Sequence, residues 1–543
     1  MIRVLCLFCL VCVCVVFSRC NGDSEQSQKK VFRYNEAAGV NTLDPANARY
    51  LEDMRVIDQI YDGLLYLDDS MRVKPSLAKS YKVSEDGLEY TFILKENIHF
   101  TEHEAFPDEA SRQITAQDFV YSFNRILDKK VASPGMWIFS QVDRNRHDGF
   151  RAVNDSTLII YLKEPFPAFS GILTMQYCNA VPEEVVNFYG EDFRNNAVGC
   201  GPFKLAFWLE GVSLVLHKNQ EYWRAQNEGR DIPKLDAVRV DFIRDKSTMF
   251  LDFLKGKYDF ISGLDGSYKD ELLTQNGELS PAYAEKVKFQ KVPFIKTDYI
   301  GLLVDDSLLS HNSPLRSKAF RQALNYSVNR KKLSKYLRNN SVFPAENGFL
   351  PKGFDSHGNH NHSGYSYDLK LAKELITASG FSDLTESLVI STTGEYVDIC
   401  EYLQYQWEQL GIPIKVETLQ SSNHRDLVAN SEIEVFRKSW LADYSDEENF
   451  LGLFYSKNFA PNGPNYTHFS NTEFDQLFEK AMTISDYNER KHLYGRMDSL
   501  ILEEAPVVPL FYDQVSHFLN VRVVNFSTNS VNMIDLSEVD LME

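Results

Sequence analysis

The chain has no excess of positive charge. Of its 543 residues, 57 are lysine or arginine and 76 are aspartate or glutamate, so the net charge is −19 at pH 7. Such acidity opposes binding to the phosphate backbone of DNA or RNA, and no basic stripe interrupts it. We therefore expect no nucleic-acid partner. With 43% hydrophobic and 24% charged residues, the chain is expected to fold as a globular protein of two to four domains.

The motifs of common catalytic and nucleotide-binding sites are also missing. The sequence contains no H-E-x-x-H, no P-loop and no G-x-S-x-G. The acids Glu447 and Glu448 fit a solvated surface better than a catalytic pair. His357, His360 and His362 lie in a segment rich in Gly, Asn and Ser that predicts a surface loop, so we expect no functional metal site and no cofactor. The sequence indicates a protein that is not an enzyme.

Long hydrophobic runs are missing except at the N-terminus. Residues 4–17 are uninterrupted apolar residues, a run too short for a membrane helix and suited to a signal peptide. Cys20 follows directly, as the lipid-bearing cysteine does in a bacterial lipoprotein signal, although Arg19 stands where a small residue is usual. Plain secretion is the alternative. We expect residues 1–19 to be the signal peptide and residues 20–30 a polar tether.

Few cysteines remain after the signal segment. Besides Cys20 these are Cys178, Cys200 and Cys400, an odd number, so at least one has no partner within the chain. Cys178 and Cys200 are the pair closest in sequence. An exported protein can form a disulfide there, but the spacing alone does not establish one.

Alternating and helical patterns of apolar residues predict a mixed α/β protein. They indicate strands at residues 31–35, 90–94 and 157–162 and a helix over residues 53–61. Asp86-Gly87 is typical of a hairpin turn. Thr115, with Asp118 three residues later, predicts the start of another helix with a capping box.

The segment 433–451 carries the most informative arrangement of charge. It predicts a short strand at residues 433–436 that leads into a turn, where Arg437, Trp440 and Asp443 follow at spacings of three. A carboxylate beside an aromatic ring can hold an ammonium group, and an arginine can hold a carboxylate. The pattern therefore suits a zwitterionic ligand. The competing interpretation is a strand end with a core tryptophan and solvated charges.

Eight motifs, in a fixed order, resemble one family. They are residues 78–95, ITAQDFVYSFNRI at 114–126, VGCGPFKL at 198–205, the N-x-x-Y-W motif at 219–223, FLKGKYDF at 253–260, residues 314–330 with FRQAL, residues 367–380, and Phe474-Asp475 with residues 490–509. Each motif is weak alone, but their order over about residues 31–520 resembles that of the extracellular solute-binding proteins of peptide ABC transporters. This is family 5, the oligopeptide, dipeptide, nickel and opine class.

The resemblance implies an α/β fold of two lobes around a cleft, like that of class II (cluster C) periplasmic binding proteins, with an extra small domain inserted in lobe I. The implied domains are lobe I at residues 31–66, 184–290 and 505–543, the inserted domain at 67–183, and lobe II at 291–504. The chain would cross between the lobes near residues 290 and 505. These crossings would form a hinge that lets the lobes close around a solute.

The resemblance also implies a ligand site. In oligopeptide-binding members, a motif resembling W-C-A-D-Y carries the aspartate that holds the α-ammonium group of the peptide. Here the motif reads Trp440-Leu441-Ala442-Asp443-Tyr444. Asp443 is therefore expected to bind the ammonium group, with Trp440, Arg437, Tyr444 and Ala442 as the other ligand-binding residues.

Two departures from the family pattern leave the length and side-chain preference of the ligand open. Ser421 and Ser422 stand in the region where many members carry another tryptophan. Cys200 replaces the small polar residue of the G-[ST]-G-P turn.

The function implied by the resemblance is that of a lipid-anchored receptor. The protein would capture short peptides and deliver them to an ABC permease and its ATPase, as a monomer in the cell envelope that faces the periplasm or the extracellular side. The lipid on Cys20 would hold it to the membrane. Alternatives are the same fold with another solute, such as a metal complex, a sugar or a signalling peptide, and an envelope hydrolase.

Overall fold

The computed structural model describes residues 29–263, 271–358 and 364–542. The signal peptide, Cys20, His360 and His362 lie outside these ranges. The strands are β1 Val31–Asn35, β2 Leu65–Leu67, β3 Val73–Pro75, β4 Ala78–Val83, β5 Glu89–Leu94, β6 His99–Phe100, β7 Arg112–Gln113, β8 Phe150–Asn154, β9 Thr157–Tyr161, β10 Phe203–Leu209, β11 Ser213–Lys218, β12 Ala237–Asp241, β13 Phe260–Ser262, β14 Val287–Leu302, β15 Val342–Pro344, β16 Leu388–Thr393, β17 Ile414–Leu419, β18 Val435–Leu441, β19 Val507–Asn520, β20 Val523–Val524, β21 Ser527–Thr528, β22 Ile534–Asp535 and β23 Asp540–Leu541.

The α-helices within the same ranges are α1 Leu51–Ile60, α2 Ala116–Leu127, α3 Phe169–Ile172, α4 Glu183–Tyr189, α5 Trp223–Glu228, α6 Lys246–Leu254, α7 Lys318–Tyr326, α8 Arg330–Leu337, α9 Leu369–Ser379, α10 Val397–Glu408, α11 Ser421–Ala429, α12 Glu448–Leu451, α13 Thr472–Met482 and α14 Tyr487–Glu504. None of these helices combines the length and the apolar character that crossing a membrane requires.

One large mixed sheet runs through the molecule. Its order is β10–β11–β12–β1–β13–β19–β14–β18–β16–β17, and β15 pairs with β19. β1 lies parallel to β12 and β13, and β16 lies parallel to β17 and β18. One end of the sheet comes mainly from the first half of the chain, and the other end from the second half. The chain is thus an α/β protein, as predicted.

The two long antiparallel strands β14 and β19 connect the ends of this sheet. Residues 287–293 of β14 pair with residues 514–520 of β19, and residues 297–301 pair with residues 507–512. Between these blocks the register shifts, just after Pro293, which has no N–H to donate to a ladder. β13 flanks the first block and β18 flanks the second. We name the β13 side, with its helices, lobe I and the β18 side lobe II.

Each lobe has its own hydrophobic core. The first core, in lobe I, includes Phe32, Val238 and Phe92. The second core, in lobe II, includes Ile300, Trp407 and Val508, and a third core includes Phe349, Phe450 and Tyr494. Apolar burial of this kind contributes roughly 25 cal/mol per Å². The cores meet at the cavity, because Tyr444 of lobe II packs in the first core and Met71 packs in the third.

A smaller antiparallel sheet, ordered β4–β5–β9–β8, packs into the core of lobe I. We call it the inserted sheet. Tyr90, Phe92 and Leu94 of β5 are buried while Ile93 is exposed, which is the predicted alternation. The turn between β4 and β5 contains Gly87 at φ 72°, a left-handed conformation that glycine adopts without strain. The hairpin and strand predictions are confirmed.

Helix starts follow the predicted signals closely. Thr115 precedes α2 and forms a capping box with Asp118, whose Oδ2 accepts from the Thr115 main-chain N–H at 2.7 Å. The helix predicted over residues 53–61 is α1, which begins two residues earlier, at Leu51.

The turn at residues 199–201 packs tightly against the end of α1. The Gly201 N–H donates to the Ile60 carbonyl at 2.8 Å, and a Cβ on Gly199 would lie 2.1 Å from that oxygen. Cys200 is buried between the two glycines. Cys178, Cys200 and Cys400 are all free thiols, so no disulfide joins Cys178 to Cys200.

The C-terminal tail after β19, at residues 521–542, packs against α1 on the lobe I side. It folds back as the pairs β20–β23 and β21–β22. Gln59 of α1 donates to the Ile534 carbonyl at 2.9 Å and accepts from the Leu536 N–H at 3.2 Å. Ile534 and Leu536 are fully buried in the first core. The tail therefore forms part of the wall beside α1.

Candidate functional site

A cavity of about 840 Å³ lies between the two lobes. Its lining residues are scattered through the segments 49–76, 174–179, 202–228 and 525–538, together with Lys95, Trp137, Phe294 and residues 441–444. Other residues of these segments, among them Asp53, Cys178 and His217, do not line the cavity. Phe294 lies at the register shift of β14, and residues 441–444 are the last residue of β18 and the turn after it. Because both lobes contribute, a change in their relative position would change the volume of the cavity.

Strand β18 is longer than the sequence predicted. It begins at Val435 and continues to Leu441, because residues 296–302 of β14 supply antiparallel partners along its whole length. The prediction of a turn directly after residue 436 is therefore wrong. Arg437 and Trp440 lie within the strand, and the turn begins at Ala442.

Asp443 is a carboxylate on the cavity wall without a cationic partner. Its side chain is exposed to the cavity, and no ion pair involves it among the described residues. The surrounding protein displaces solvent and raises the pKa of Asp443, while a long hydrogen bond of 3.4 Å from Asn449 Nδ2 opposes the rise. A cation that enters the cavity would stabilise the ionised carboxylate.

Asn449 holds Asp443 and Trp440 in their relative positions. Its Oδ1 accepts from Trp440 Nε1 at 2.9 Å and from the Asp443 main-chain N–H at 3.4 Å. Trp440 is half-buried and packs against the third core, and it does not line the cavity. The indole supports the turn that carries Asp443. Its predicted contact with a ligand stays a prediction.

Ala442 and Tyr444 line the cavity on either side of Asp443. The Ala442 N–H donates to the Ile295 carbonyl of β14 at 2.9 Å, which fixes the start of the turn. The Tyr444 ring is buried and its hydroxyl donates to Glu448. The structure thus brings three of the five predicted ligand-binding residues together on one wall.

The turn after β18 also forms a contact between the lobes. The Tyr444 ring lies 6.3 Å from the Trp137 ring and 6.5 Å from the Phe166 ring, measured between centroids, and both partners belong to the segment 67–183 that is inserted in lobe I. Ser445 Oγ donates to the Met71 carbonyl at 2.7 Å. The segment that carries Asp443 is therefore the segment that touches the opposite lobe.

Arg437 lies apart from these residues. Its guanidinium forms an ion pair with the buried Asp298 of β14 and stacks 3.1 Å from the centroid of the Tyr396 ring. Only 7% of the side chain is exposed, and it does not line the cavity. A guanidinium with a buried partner has little free charge to offer a ligand. Nothing in the geometry joins Arg437 to Asp443.

Asp58 and Asp62, near the end of α1, are acidic residues of the wall that the sequence did not reveal. Burial, then the charges of Asp535 and Asp62, raise the pKa of Asp58 to about 8. Burial raises the pKa of Asp62 to about 6, against a hydrogen bond of 2.7 Å from Trp223 Nε1. The N-x-x-Y-W motif that ends at Trp223 was the one sequence signal pointing to this part of the wall.

After the turn, Asp446 and Glu447 are buried and Glu448 is half-buried, so the expectation that Glu447 and Glu448 are solvated is wrong. Asp446 accepts from Arg490 at 2.9 Å and from Tyr494 at 2.7 Å, and Glu447 accepts from Ser356 at 2.6 Å and from Tyr487 at 2.7 Å. Burial, with a smaller contribution from the charge of Asp446, raises the pKa of both Glu447 and Glu448 to about 7. These bonds fix the turn on lobe II.

The lining of the cavity offers groups that can hold a ligand. No histidine and no cysteine lies among its described lining residues. Within the described ranges, no group of three or more His, Cys, Asp or Glu side chains could hold a metal ion. The wall offers a carboxylate without a cationic partner, aromatic rings and main-chain groups, which are means of holding a cationic, extended molecule.

Comparisons with known proteins give one consistent answer. A family model described as "Bacterial extracellular solute-binding proteins, family 5 Middle" matches residues 72–462. The oligopeptide-binding protein OppA of Bacillus subtilis is 26% identical over 518 residues, which cover 90% of this chain and 89% of that protein.

Two solved structures match over nearly the whole chain. HbpA2 from Haemophilus parasuis superposes with a TM-score of 0.83 at 21% identity, covering 94% of this chain and 100% of that one. DppA from Helicobacter pylori, an ABC transporter-associated periplasmic binding protein in complex with the peptide STSA, superposes with a TM-score of 0.69 at 25% identity, covering 96% and 100%.

Proposed function

The chain belongs to the bacterial extracellular solute-binding proteins of family 5, and from this premise we propose that its solute is a short peptide, captured in the cavity between the lobes. Members of this family bind solutes and are not enzymes, and the cavity agrees with that class. OppA of B. subtilis is named for oligopeptides, and DppA of H. pylori was solved with a peptide.

The observation that carries the proposal is the unpaired carboxylate of Asp443. The raised pKa of Asp443 means that its ionised carboxylate is less stable here than in water. A ligand with a positive charge stabilises this carboxylate and therefore binds more tightly. The α-ammonium group of a peptide is such a partner, and a charge-assisted hydrogen bond contributes about 1.5–3 kcal/mol. Ala442 and Tyr444 line the wall beside Asp443.

The lobes supply a way to enclose the ligand. β14 and β19 connect them, and their pairing is interrupted after Pro293. We propose that this interruption is the hinge. The predicted division into lobe I at 31–66, 184–290 and 505–543, the inserted domain at 67–183 and lobe II at 291–504 then changes at one point. Residues 507–512 of β19 pair with residues 297–301 of β14, and Val508 packs in the second core, so residues 507–512 would move with lobe II. Hinge closure would exclude water from Asp443 and strengthen its interaction with an ammonium group.

We also propose that the protein works as a monomer on the cell envelope and passes its peptide to an ABC permease. The family assignment supports a place outside the cytoplasmic membrane. The lipid anchor at Cys20 is supported by the position of this cysteine directly after the apolar run at residues 4–17.

A binding experiment tests the proposal against its alternatives. The purified protein is mixed with a defined set of peptides of about two to six residues and separated from unbound peptide by gel filtration. Mass spectrometry of the protein fraction should find intact peptides, and the unbound mixture should be unchanged. Peptide fragments that accumulate with time would indicate a hydrolase instead. Retention of no peptide, with uptake of a metal complex or a sugar, would contradict the peptide assignment.

A further inference from the structure

Arg49 lines the cavity without a partner of its own. The side chain is exposed, and no hydrogen bond or ion pair joins its guanidinium to any described residue. The other basic residues of the wall are engaged. Arg72 pairs with Asp68 at 3.1 Å, Arg224 lies 3.5 Å from Glu228, 3.7 Å from Glu538 and 3.9 Å from Asp535, and Lys95 lies 4.2 Å from the centroid of the Trp223 ring.

The loop that carries Arg49 is held rigidly. Asp44 accepts two hydrogen bonds of 2.6 Å from the guanidinium of Arg125 and one of 3.1 Å from the Ala46 N–H. Pro45, Ala46 and Ala48 are buried, and α1 begins at Leu51. The main chain at Arg49 is therefore already ordered, so the binding of a ligand by its side chain costs little main-chain entropy.

Arg49 and Asp443 line the same cavity from opposite lobes, and the buried residue Tyr177 lines it with them. Burial raises the pKa of Tyr177, the positive charge of Arg49 lowers it, and the negative charge of Asp443 raises it. Asp53, a nearby acid, is buried, accepts from the Asn41 N–H at 2.7 Å and does not line the cavity. The charge of Arg49 is thus available to a ligand.

We propose that Arg49 binds the carboxylate of the ligand, so that the protein selects short zwitterionic peptides with a free carboxyl terminus. Guanidinium matches a carboxylate with two parallel N–H donors, which adds geometric selectivity to the charge. Asp443 of lobe II would hold one end of the peptide and Arg49 of lobe I the other. The inference rests on the proposed peptide-binding function, and it assigns to Arg49 the role that Arg437 cannot fill.

The test offers each peptide of the defined set as an equimolar pair, the free acid and its C-terminal amide, and measures the ratio retained by the protein. Wild type should retain the acids about tenfold to a hundredfold better than the amides. Arg49→Gln should abolish this preference while its retention of the amides stays within about threefold of wild type. Arg49→Lys, which keeps the charge, should restore part of the preference.

Arg72→Gln is the matched control, because it removes the same charge from the same cavity at a site that already has an acidic partner. It should keep the preference for acids. Equal retention of acids and amides by wild type would overturn the role of Arg49 and leave peptide binding intact. A preference that survives in Arg49→Gln, or that is lost equally in Arg72→Gln, would also overturn it. Retention of no peptide would refute both the inference and the proposed function.

Discussion

Replacing Asp443 with asparagine should weaken the binding of peptides that have a free amino group. Asp443→Asn keeps the shape of the side chain and removes its charge. Removing one member of a buried ion pair costs about 3–5 kcal/mol. Asp443 is exposed in the unliganded cavity, so we take the lower value, about 3 kcal/mol, which is about two decades in Kd at 1.4 kcal/mol per decade.

Calorimetry on four combinations isolates this interaction. A peptide and its N-acetylated form are each titrated into wild type and Asp443→Asn, which gives a coupling energy between the carboxylate and the ammonium group. The acetylated peptide lacks the charge, so it should bind wild type poorly and lose little more in the variant. Asp69→Asn is the matched control, because Asp69 is another exposed acid of the same wall, and its peptide affinity should stay within about threefold of wild type.

The pH dependence gives a second readout of the same group. The surrounding protein displaces solvent and raises the pKa of Asp443, and an ammonium group needs the ionised carboxylate. Affinity should therefore fall as the pH drops through the pKa of Asp443, and Asp443→Asn should lose this dependence. A coupling energy near zero in a variant that melts like wild type would refute the reasoning and remove Asp443 from the site.

Three further predictions concern the buried acids, the hinge and the anchor. Burial raises the pKa of Glu448 to about 7, so the folded protein binds the proton of this carboxyl group more tightly than the unfolded chain does. The free energy of unfolding therefore falls as the pH rises from about 4 to 7. Glu448→Gln cannot titrate, so the Tm of this variant minus the Tm of wild type should increase between pH 5 and pH 8. A Tm difference that stays constant over this range would show that Glu448 does not titrate in this way. Saturating peptide should reduce the radius of gyration in small-angle scattering, and an unchanged profile at saturation would argue against closure around Pro293. Cys20→Ser should abolish metabolic labelling with palmitate, whereas unchanged labelling would exclude Cys20 as the anchor.

Local signals in the sequence predicted local structure well. The Asp86-Gly87 hairpin, the capping box of Thr115 and Asp118, and strand β1 lie where the pattern placed them. In the hairpin turn and the capping box, neighbouring residues supply the interaction, so the local sequence contains the relevant information. Strand β1 follows from its alternating burial pattern, although its partners β12 and β13 lie far away in sequence. The resemblance to a family added the two-lobed fold, which periodicity alone could not indicate.

The site could be predicted only in part, because its contacts are not local. The motif from Trp440 to Tyr444 led to the cavity wall, but the partner of Arg437 is Asp298 on a strand far away in sequence. No sequence pattern indicates a role for Arg49, because its exposure and its lack of a partner among the described residues depend on how the loop before α1 packs.

One of the motifs proved to be structural. Arg330 closes the motif at residues 314–330 and is completely buried. Its guanidinium donates to the carbonyls of Pro509, Asn325 and Tyr365 at 2.6–3.1 Å, which ties α8 to β19. A buried guanidinium requires such acceptors. Sequence could identify this motif but could not say whether it serves binding or folding.

Native mass spectrometry of the protein purified without refolding shows directly what the cavity holds. We expect a one-to-one complex whose added mass is released on activation as one or more short peptides with free termini, each identified by its fragment spectrum. A bound species identified as a metal complex, a sugar or another compound without an amino terminus would contradict the assignment of a peptide as the solute. So would an empty protein that takes up no peptide from the defined set.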